Sequence, residues 1–390
     1  MHASKIKIRS ILLFLYQKNL IPAKISSKRW IEISNADLNN QNNIKISEKS
    51  TIMTLGSHCS LQVLKGAKDE GFKTLLVCEE KRYDMYKRFR FIDDIIPVKS
   101  FNEITDAKFQ TDLIDRFKPI LIPHGTLIST LKMEELESIK IPIFGNKWIL
   151  RWESDRVLKQ KLMNESDLHS PIQLESKNEI DGLCIVKLHG AAGGKGYFLV
   201  TNKKEFEDQA QRLIESKTIE SEENLFIQKY ANGVPVYLQY FYSPINDELE
   251  LLGIDRRYET DIDAIGRIPS KYQMASTIEP SYTVVGNIPI VLRESLLPEV
   301  FSMGERFVEA SKKLVPPGMP GPFCIEGVYD NNANFTAFEF SARIVAGTNL
   351  YVSGSPYSDL LYDVPMSMGR RISSEIKKAI DSSKISLITT

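Results

Sequence analysis

From residue 51 onward the chain alternates short apolar runs with amphipathic stretches. Thr51-Ile52-Met53-Thr54-Leu55 is a buried strand by pattern, and Gly56-Ser57-His58 follows it as a turn. Between Ser60 and Glu70, Leu61, Leu64 and Ala67 share one face, which predicts a helix ended by Gly71. Lys73–Cys78 reads as the next strand. Weaker strands are predicted at Ile95–Val98, Ile120–Ile122 and Ile141–Phe144, with helical stretches between them. Alternation of this kind predicts a parallel sheet with helices on its faces. Ligands bind such sheets at the carboxyl ends of the strands. That singles out two turns: Gly56-Ser57-His58 and Pro123-His124-Gly125-Thr126.

Past residue 150 the pattern changes. A helical stretch at 152–165 precedes strands Cys184–Leu188 and Tyr197–Val200, and a helix at Lys203–Lys217. Residues 225–258 read as strands with a hairpin at Asn246-Asp247. A helix from Leu296 stops near Leu314, before Pro316-Pro317-Gly318. A second hairpin spans 323–341, and a final helix covers 369–380. The expected fold class is an α/β N-terminal domain with a parallel sheet, followed by an α+β domain with mostly antiparallel strands. The expected division is 1–50 as extension and linker, 51–150 as the α/β domain, and 151–390 as the second domain with a small lid subdomain at about 180–235. Residues 35–50 are polar and rich in Asn, as a linker is. The apolar run Ile11–Tyr16 is too short for a signal peptide and reads as a short amphipathic helix or an extension. No stretch approaches the ~20 apolar residues that span a bilayer.

Composition narrows the partners. The chain has 390 residues, with 50 Lys+Arg against 50 Asp+Glu, so no net charge draws it to nucleic acid or to an anionic membrane. Its four cysteines, Cys59, Cys78, Cys184 and Cys324, are far apart and form no CxxC pair, which predicts reduced thiols in the cytoplasm.

The segment Lys187 to Tyr197 holds Gly190, Gly193, Gly194 and Gly196, with Lys195 among them. Glycine lets backbone N–H groups approach an anion, and Lys187 and Lys195 supply charge for phosphate oxygens. It is not a Walker A loop, because Gly196 stands where Ser or Thr is required. Flanked by two strands, it reads as a phosphate-binding flap or as a plain surface turn.

In the hairpin 323–341, a turn centred between Asn332 and Ala333 sets Glu326 directly opposite Glu339. Their Cβ atoms would then be about 4.5–5.5 Å apart, where like charges repel. A Mg²⁺ ion taking both carboxylates and substrate phosphates resolves the conflict; ion pairs with Arg, or a register slip, are the alternatives. Arg343 shares the strand parity of Glu339 and would face the same phosphates if the strand continued. Arg256 and Arg257, on a predicted strand with Asp255 and Glu259, suit phosphate forks or a solvated ion-pair ladder. His58, at a strand end, is a candidate site residue, with His124 placed similarly.

Several long strings stand out: Thr54-Leu55-Gly56-Ser57-His58, Leu150-Arg151-Trp152-Glu153-Ser154-Asp155-Arg156, Leu252 to Glu259, Val285-Gly286-Asn287-Ile288-Pro289 and Ser341 to Asn349. Together they resemble the formate-dependent ligases acting on 5-aminoimidazole-4-carboxamide ribonucleotide (AICAR), ATP-grasp enzymes of purine biosynthesis. The resemblance covers the chain from about Thr51 to the final helix. It implies an α/β domain of the pre-ATP-grasp type followed by an ATP-grasp fold. It also implies ATP and Mg²⁺ (Mn²⁺ as an option), AICAR and formate as substrates, and a homo-oligomer. By the same resemblance, Lys161 and Lys187 face ATP phosphates under the glycine loop, Gln228-Lys229-Tyr230 forms the adenine hinge, and Glu259 lies in the ATP site. Glu326 and Glu339 hold the metal, Arg343 joins Lys187 in catalysis, and Ser57, His58, Thr126, Arg256 and Asn287 meet the nucleotide substrate. Thr126 stands where the family has Ser; Gln228-Lys229 replaces two Glu, and His189 and Ala192 replace a Pro and a Lys. The changed hinge and flap also suit a relative joining another carboxylate to another amine, or a non-catalytic nucleotide-binding relative.

Overall fold

Four parallel strands form the first sheet: β1 (Thr51–Leu55), β2 (Lys73–Glu79), β3 (Asp94–Val98) and β4 (Pro119–Leu121), in the order β3-β2-β1-β4. The computed structural model describes residues 46–188, 197–275 and 283–390. The extension through residue 45 and the loop residues Gly190, Gly193, Gly194, Lys195 and Gly196 lie outside the described residues. Every position of β1 is buried, as an apolar strand covered on both faces requires. The chain leaves β1 toward β2 on one side and places β4 on the other, so β1 and β4 flank the switch point of the sheet. The strand predicted at 141–144 shrinks to isolated bridges, Ile143 to Leu121 and Phe144 to Thr389. Pro142, which has no N–H to donate, interrupts the ladder there.

The helix Ser60–Asp69 buries two faces rather than one. Leu64 packs with Leu76, Cys78 and Tyr86, while Val63 and Ala67 share a core with Ile52, Ile120, Phe241, Leu252, Ile372 and Ile376. The last two come from the final helix, Met368–Asp381. The two helices cross at backbone contact: a Cβ on Gly66 would stand 2.1 Å from the Arg370 nitrogen, and one on Gly369 2.4 Å from the Gln62 carbonyl oxygen.

A second sheet has the order β5-β8-β6-β7, from β5 (Gln173–Leu174), β6 (Cys184–Leu188), β7 (Tyr197–Val200) and β8 (Leu225–Lys229), all antiparallel. Cys184, Val186 and Ile227 face Phe206 and Ala210 of the helix Lys203–Glu215. Alternation then turns Lys187 and Gln228 to the other face.

The third sheet is antiparallel, in the order β11-β10-β9-β12-β13. It comprises β9 (Val234–Ser243), β10 (Glu248–Glu259), β11 (Val284–Pro289), β12 (Gly321–Tyr329) and β13 (Phe335–Ser341). One face is an aromatic core. Phe307 of the helix Leu297–Leu314 stacks on Phe323 at 5.1 Å, and Phe323 on Tyr240 at 4.9 Å. Across the other face runs a polar row of direct neighbours, Asp255, Tyr237, Glu326 and Glu339, one from each of four strands.

A buried ion network ties the final helix to this sheet. Arg371, 1% exposed, donates to both Glu250 oxygens at 2.8–3.0 Å and to Glu375 at 2.8 Å, and lies over the Phe241 ring. Cys59, Cys78, Cys184 and Cys324 are free and buried. Among the described residues, no helix is long and apolar enough to cross a membrane.

Candidate active site

The turn between β12 and β13 pairs Tyr329 with Phe335, a register that alone would set Glu326 against Phe338. Asp330 Oδ1 accepts the N–H groups of Asn332 at 2.9 Å and Asn334 at 2.8 Å, and Ala333 takes the left-handed conformation at φ 63°. A bulge between Glu326 and Gly327, on the turn side of the pair, shifts the register by one residue and makes Glu326 and Glu339 direct cross-strand partners; the pairing expected from the sequence is present, but the turn is centred on Asn332 rather than between Asn332 and Ala333. Each has a cationic neighbour. Glu326 accepts from Arg257 Nη2 at 2.6 Å and from Ser341 Oγ at 2.9 Å. Glu339 pairs with Lys159 of the helix Arg156–Glu165 and keeps 39% of its side chain exposed. Burial alone would raise the Glu339 pKa, but Lys159, Lys187 and Arg257 hold it at about 2.

Lys187 of the second sheet acts on Glu339 by charge, and its Nζ donates to Gln228 Oε1 at 2.8 Å. Burial lowers its pKa to about 8, opposed by the charge of Glu339. Lys161 is not brought into this group. It lines a cleft of about 650 Å³ with Arg156, Gln160, Asn164, Leu225 and Phe226. Lys159, absent from the sequence reading, stands two residues earlier on the same helix and points to Glu339 instead. Arg257 and Arg256 lie on opposite faces of β10 by strand alternation. Arg257 joins the polar row over the Tyr237 ring, at 4.0 Å, whereas Arg256 pairs with Asp263 at 3.2 Å. The Arg256 Nε is buried with no hydrogen-bond partner among the described residues.

In the hinge segment, Gln228 is buried against Lys187, and Lys229 pairs with Asp181 at 3.0 Å, so the cation replacing a Glu has its own counter-charge. The Lys229 and Tyr230 N–H groups donate to the carbonyls of Ile172 and Leu183. Glu259 donates its backbone N–H to Asp263 at 2.5 Å, and burial raises its carboxyl pKa.

A second group sits at the switch point of the first sheet. His58, at φ 45°, places its Nδ1 3.2 Å from Ser57 Oγ and 3.1 Å from Thr126 Oγ1. Its ring stacks on buried His124 at 5.6 Å. His124 Nε2 donates to the Leu55 carbonyl at 2.8 Å, and its Nδ1 accepts the Thr126 N–H at 3.3 Å, which fixes the tautomer. Burial, reinforced by Arg343, lowers the His58 pKa to about 4; burial also lowers that of His124, to about 3. Both rings are therefore neutral at pH 7. Arg343, past the end of β13, pairs with buried Glu153 at 2.8 Å, and Glu153 also accepts the Ala342 N–H. Its charge acts on His58 while Glu326 acts on it, so it links the two groups. Asn287 donates to Asp255 Oδ2 at 2.7 Å on the polar row. Lys159 and Glu153 have no role in the sequence reading, and Asp255 enters it only as a strand neighbour of Arg256 and Arg257.

Two family models match, described as "Protein of unknown function (DUF1246)" over residues 52–174 and "Domain of unknown function (DUF1297)" over 205–390. The 5-formaminoimidazole-4-carboxamide-1-(beta)-D-ribofuranosyl 5'-monophosphate synthetase of Nitrosopumilus maritimus is 58% identical over 341 residues, 87% of this chain and 100% of that protein. The chain belongs to that synthetase family. The same synthetase from Methanocaldococcus jannaschii is 46% identical, over 85% of this chain and 93% of that protein. The crystal structure of the IMP biosynthesis protein PurP from Thermococcus kodakaraensis superposes with a TM-score of 0.69 at 30% identity, covering 87% of this chain and all of that one. An N5-carboxyaminoimidazole ribonucleotide synthetase solved with ADP aligns over 84% of this chain and 76% of its own, with a TM-score of 0.60 at 11% identity, a likeness of fold alone. The family is one of ATP-grasp ligases in purine biosynthesis, and the parallel and antiparallel sheets expected from the sequence are those of that fold.

Proposed function

We propose that this chain formylates AICAR with formate and ATP. A formate oxygen attacks the γ-phosphorus and ADP leaves. The 5-amino nitrogen of AICAR then attacks the carbon of formyl phosphate, the bond from that carbon to the phosphate oxygen breaks, and the amine proton leaves with phosphate or solvent. The products are the 5-formamido ribonucleotide, ADP and phosphate. One observation carries the reading: Arg343 joins a cluster suited to phosphates, Lys187 with Glu326 and Glu339, to a neutral His58 beside Thr126.

In this reading Lys187 meets ATP phosphates, with Lys161, Gly190, Gly193, Gly194, Lys195 and Gly196 assigned to them on sequence alone. Gln228, Lys229, Tyr230 and Glu259 line the nucleotide. Arg343, held by Glu153, stabilises the charge on formyl phosphate. Ser57, His58, Thr126, Arg256 and Asn287 bind AICAR, and the neutral rings accept or donate hydrogen bonds without adding charge. Glu326 and Glu339 offer hard oxygen donors on adjacent strands, a set that fits Mg²⁺ completed by phosphate oxygens. Bound there, the ion would spread the phosphate charge; Mn²⁺ would find the same donors. A cytoplasmic homo-oligomer of three segments, 1–50, 51–150 and 151–390 with a lid at about 180–235, completes the proposal.

ADP release tests it, with AICAR and formate omitted in turn. ADP should require both. Equal release without AICAR favours another amine acceptor, and ATP binding without turnover favours a non-catalytic relative.

Two further results are expected. Lys187 must be charged to hold phosphate, and its pKa lies near 8 in the free enzyme. ATP affinity should therefore be full below pH 8 and fall as pH rises through it. In Lys187→Arg, whose guanidinium stays protonated, calorimetry across pH 7–9.5 should show no such limb. A Cβ on Gly125 would stand 2.8 Å from His58 Nε2 and 3.1 Å from its Cδ2. Gly125→Ala should displace the ring and weaken AICAR binding by about tenfold or more, with ATP binding unchanged.

A further inference from the structure

Asp255 lies in the same row as Glu326 and Glu339 but takes no part in the chemistry above. It is 1% exposed. Its Oδ1 accepts from Gln239 Nε2 at 2.5 Å and its Oδ2 from Asn287 Nδ2 at 2.7 Å. The turn after β13 closes over it: a Cβ on Gly347 would stand 2.2 Å from Asp255 Oδ1. The carboxylate is thus fixed by two side-chain amides and a backbone wall.

A carboxylate only accepts hydrogen bonds, so it can face only the NH₂ half of the Asn287 amide. The carbonyl oxygen of Asn287 must then turn away from Asp255. We propose that Asp255 is a positioning residue that makes Asn287 an obligate acceptor, so that the site selects a nucleotide bearing a 4-carboxamide over one bearing a 4-carboxylate. The inference rests on the reading that Asn287 meets AICAR. The 5-amine has to reach the formyl carbon, which leaves the carboxamide N–H as the donor for this oxygen to read. A carboxylate in its place would set oxygen against oxygen.

The experiment is calorimetry on the full chain with AICAR, its 4-carboxylate analogue and ATP, each titrated separately. The wild type should bind AICAR about 10–100-fold more tightly than the carboxylate, the range expected for one buried acceptor left facing the wrong group. In Asp255→Asn, Gln239 still donates to the remaining oxygen, and the new NH₂ faces Asn287, which turns its own NH₂ outward. The preference should then collapse to within about threefold or reverse, with ATP affinity moved less than about threefold. A purely structural role would weaken all three ligands together and leave the preference intact, which overturns the proposal. Asn287→Ala supplies an independent arm should Asp255→Asn not fold. It should weaken AICAR about tenfold and spare the carboxylate analogue; a preference kept at its wild-type value overturns the proposal. If Asn287→Ala leaves AICAR binding unchanged, the reading that Asn287 meets the nucleotide fails. If it weakens AICAR while a folded Asp255→Asn keeps the preference, the positioning inference alone fails.

Discussion

Glu339→Gln should lower kcat by about 10²–10³-fold, or about 2.7–4 kcal/mol of transition-state stabilisation, the range for losing one preorganised electrostatic group. The side chain keeps its shape and its amide oxygen still accepts from Lys159, so the fold should survive. What disappears is the charge. Lys159, Lys187 and Arg257 act on an ionised carboxylate held at about 2, and Glu326 lies directly across the strand. With Gln there, the two lysines lose their common counter-charge, and the paired oxygen donors for a divalent cation are reduced to one carboxylate. Steady-state rates should fall with unfolding temperature nearly constant. A parallel loss of unfolding temperature would assign Glu339 to the ion-pair structure instead. The variant should also require more Mg²⁺ to reach its residual rate.

The second large effect is on stability. Arg371 is fully buried between Glu250 and Glu375, with Tyr362 donating to Glu250 at 2.6 Å and Ser243 to Glu375 at 2.6 Å. Arg371→Met should cost about 3–5 kcal/mol, because it leaves two carboxylates buried without a cation. The network ties the final helix to β9 and β10, so the loss should appear as one cooperative transition at lower urea. Replacing Arg371, Glu250 and Glu375 together by apolar residues should recover most of it. If the single substitution leaves the urea midpoint unchanged, the network is not holding the helix.

Much of this was legible in the sequence where the physics is local. Continuous apolar runs reported the covered parallel sheet, and the Asn-rich turn marked the hairpin, although a one-residue bulge at Glu326/Gly327, not the turn, places Glu326 against Glu339. The two strand-end turns stood out because sheets of this kind leave their binding loops there, and β1 and β4 prove to be neighbours. What escaped depends on which helix lands on which sheet. Lys159 and Lys161 are alike in sequence, and only the seating of their helix against β13 turns Lys159 to Glu339 and Lys161 to the cleft. Glu153 and Arg343 meet across 190 positions of chain, by contact rather than by pattern. Arg256 and Arg257 differ by one step of strand parity, and that step decides which of them faces the carboxylates. The strand expected at 141–144 failed for a local reason, the missing N–H of Pro142.

The central claim, that formate is activated as formyl phosphate, fixes the fate of one oxygen atom. With formate labelled in both oxygens by ¹⁸O, and with AICAR and ATP present, mass spectrometry of the products measures it directly. The account predicts one ¹⁸O in each phosphate released and one in each formamide formed. Phosphate without label, beside a formylated product, would contradict it.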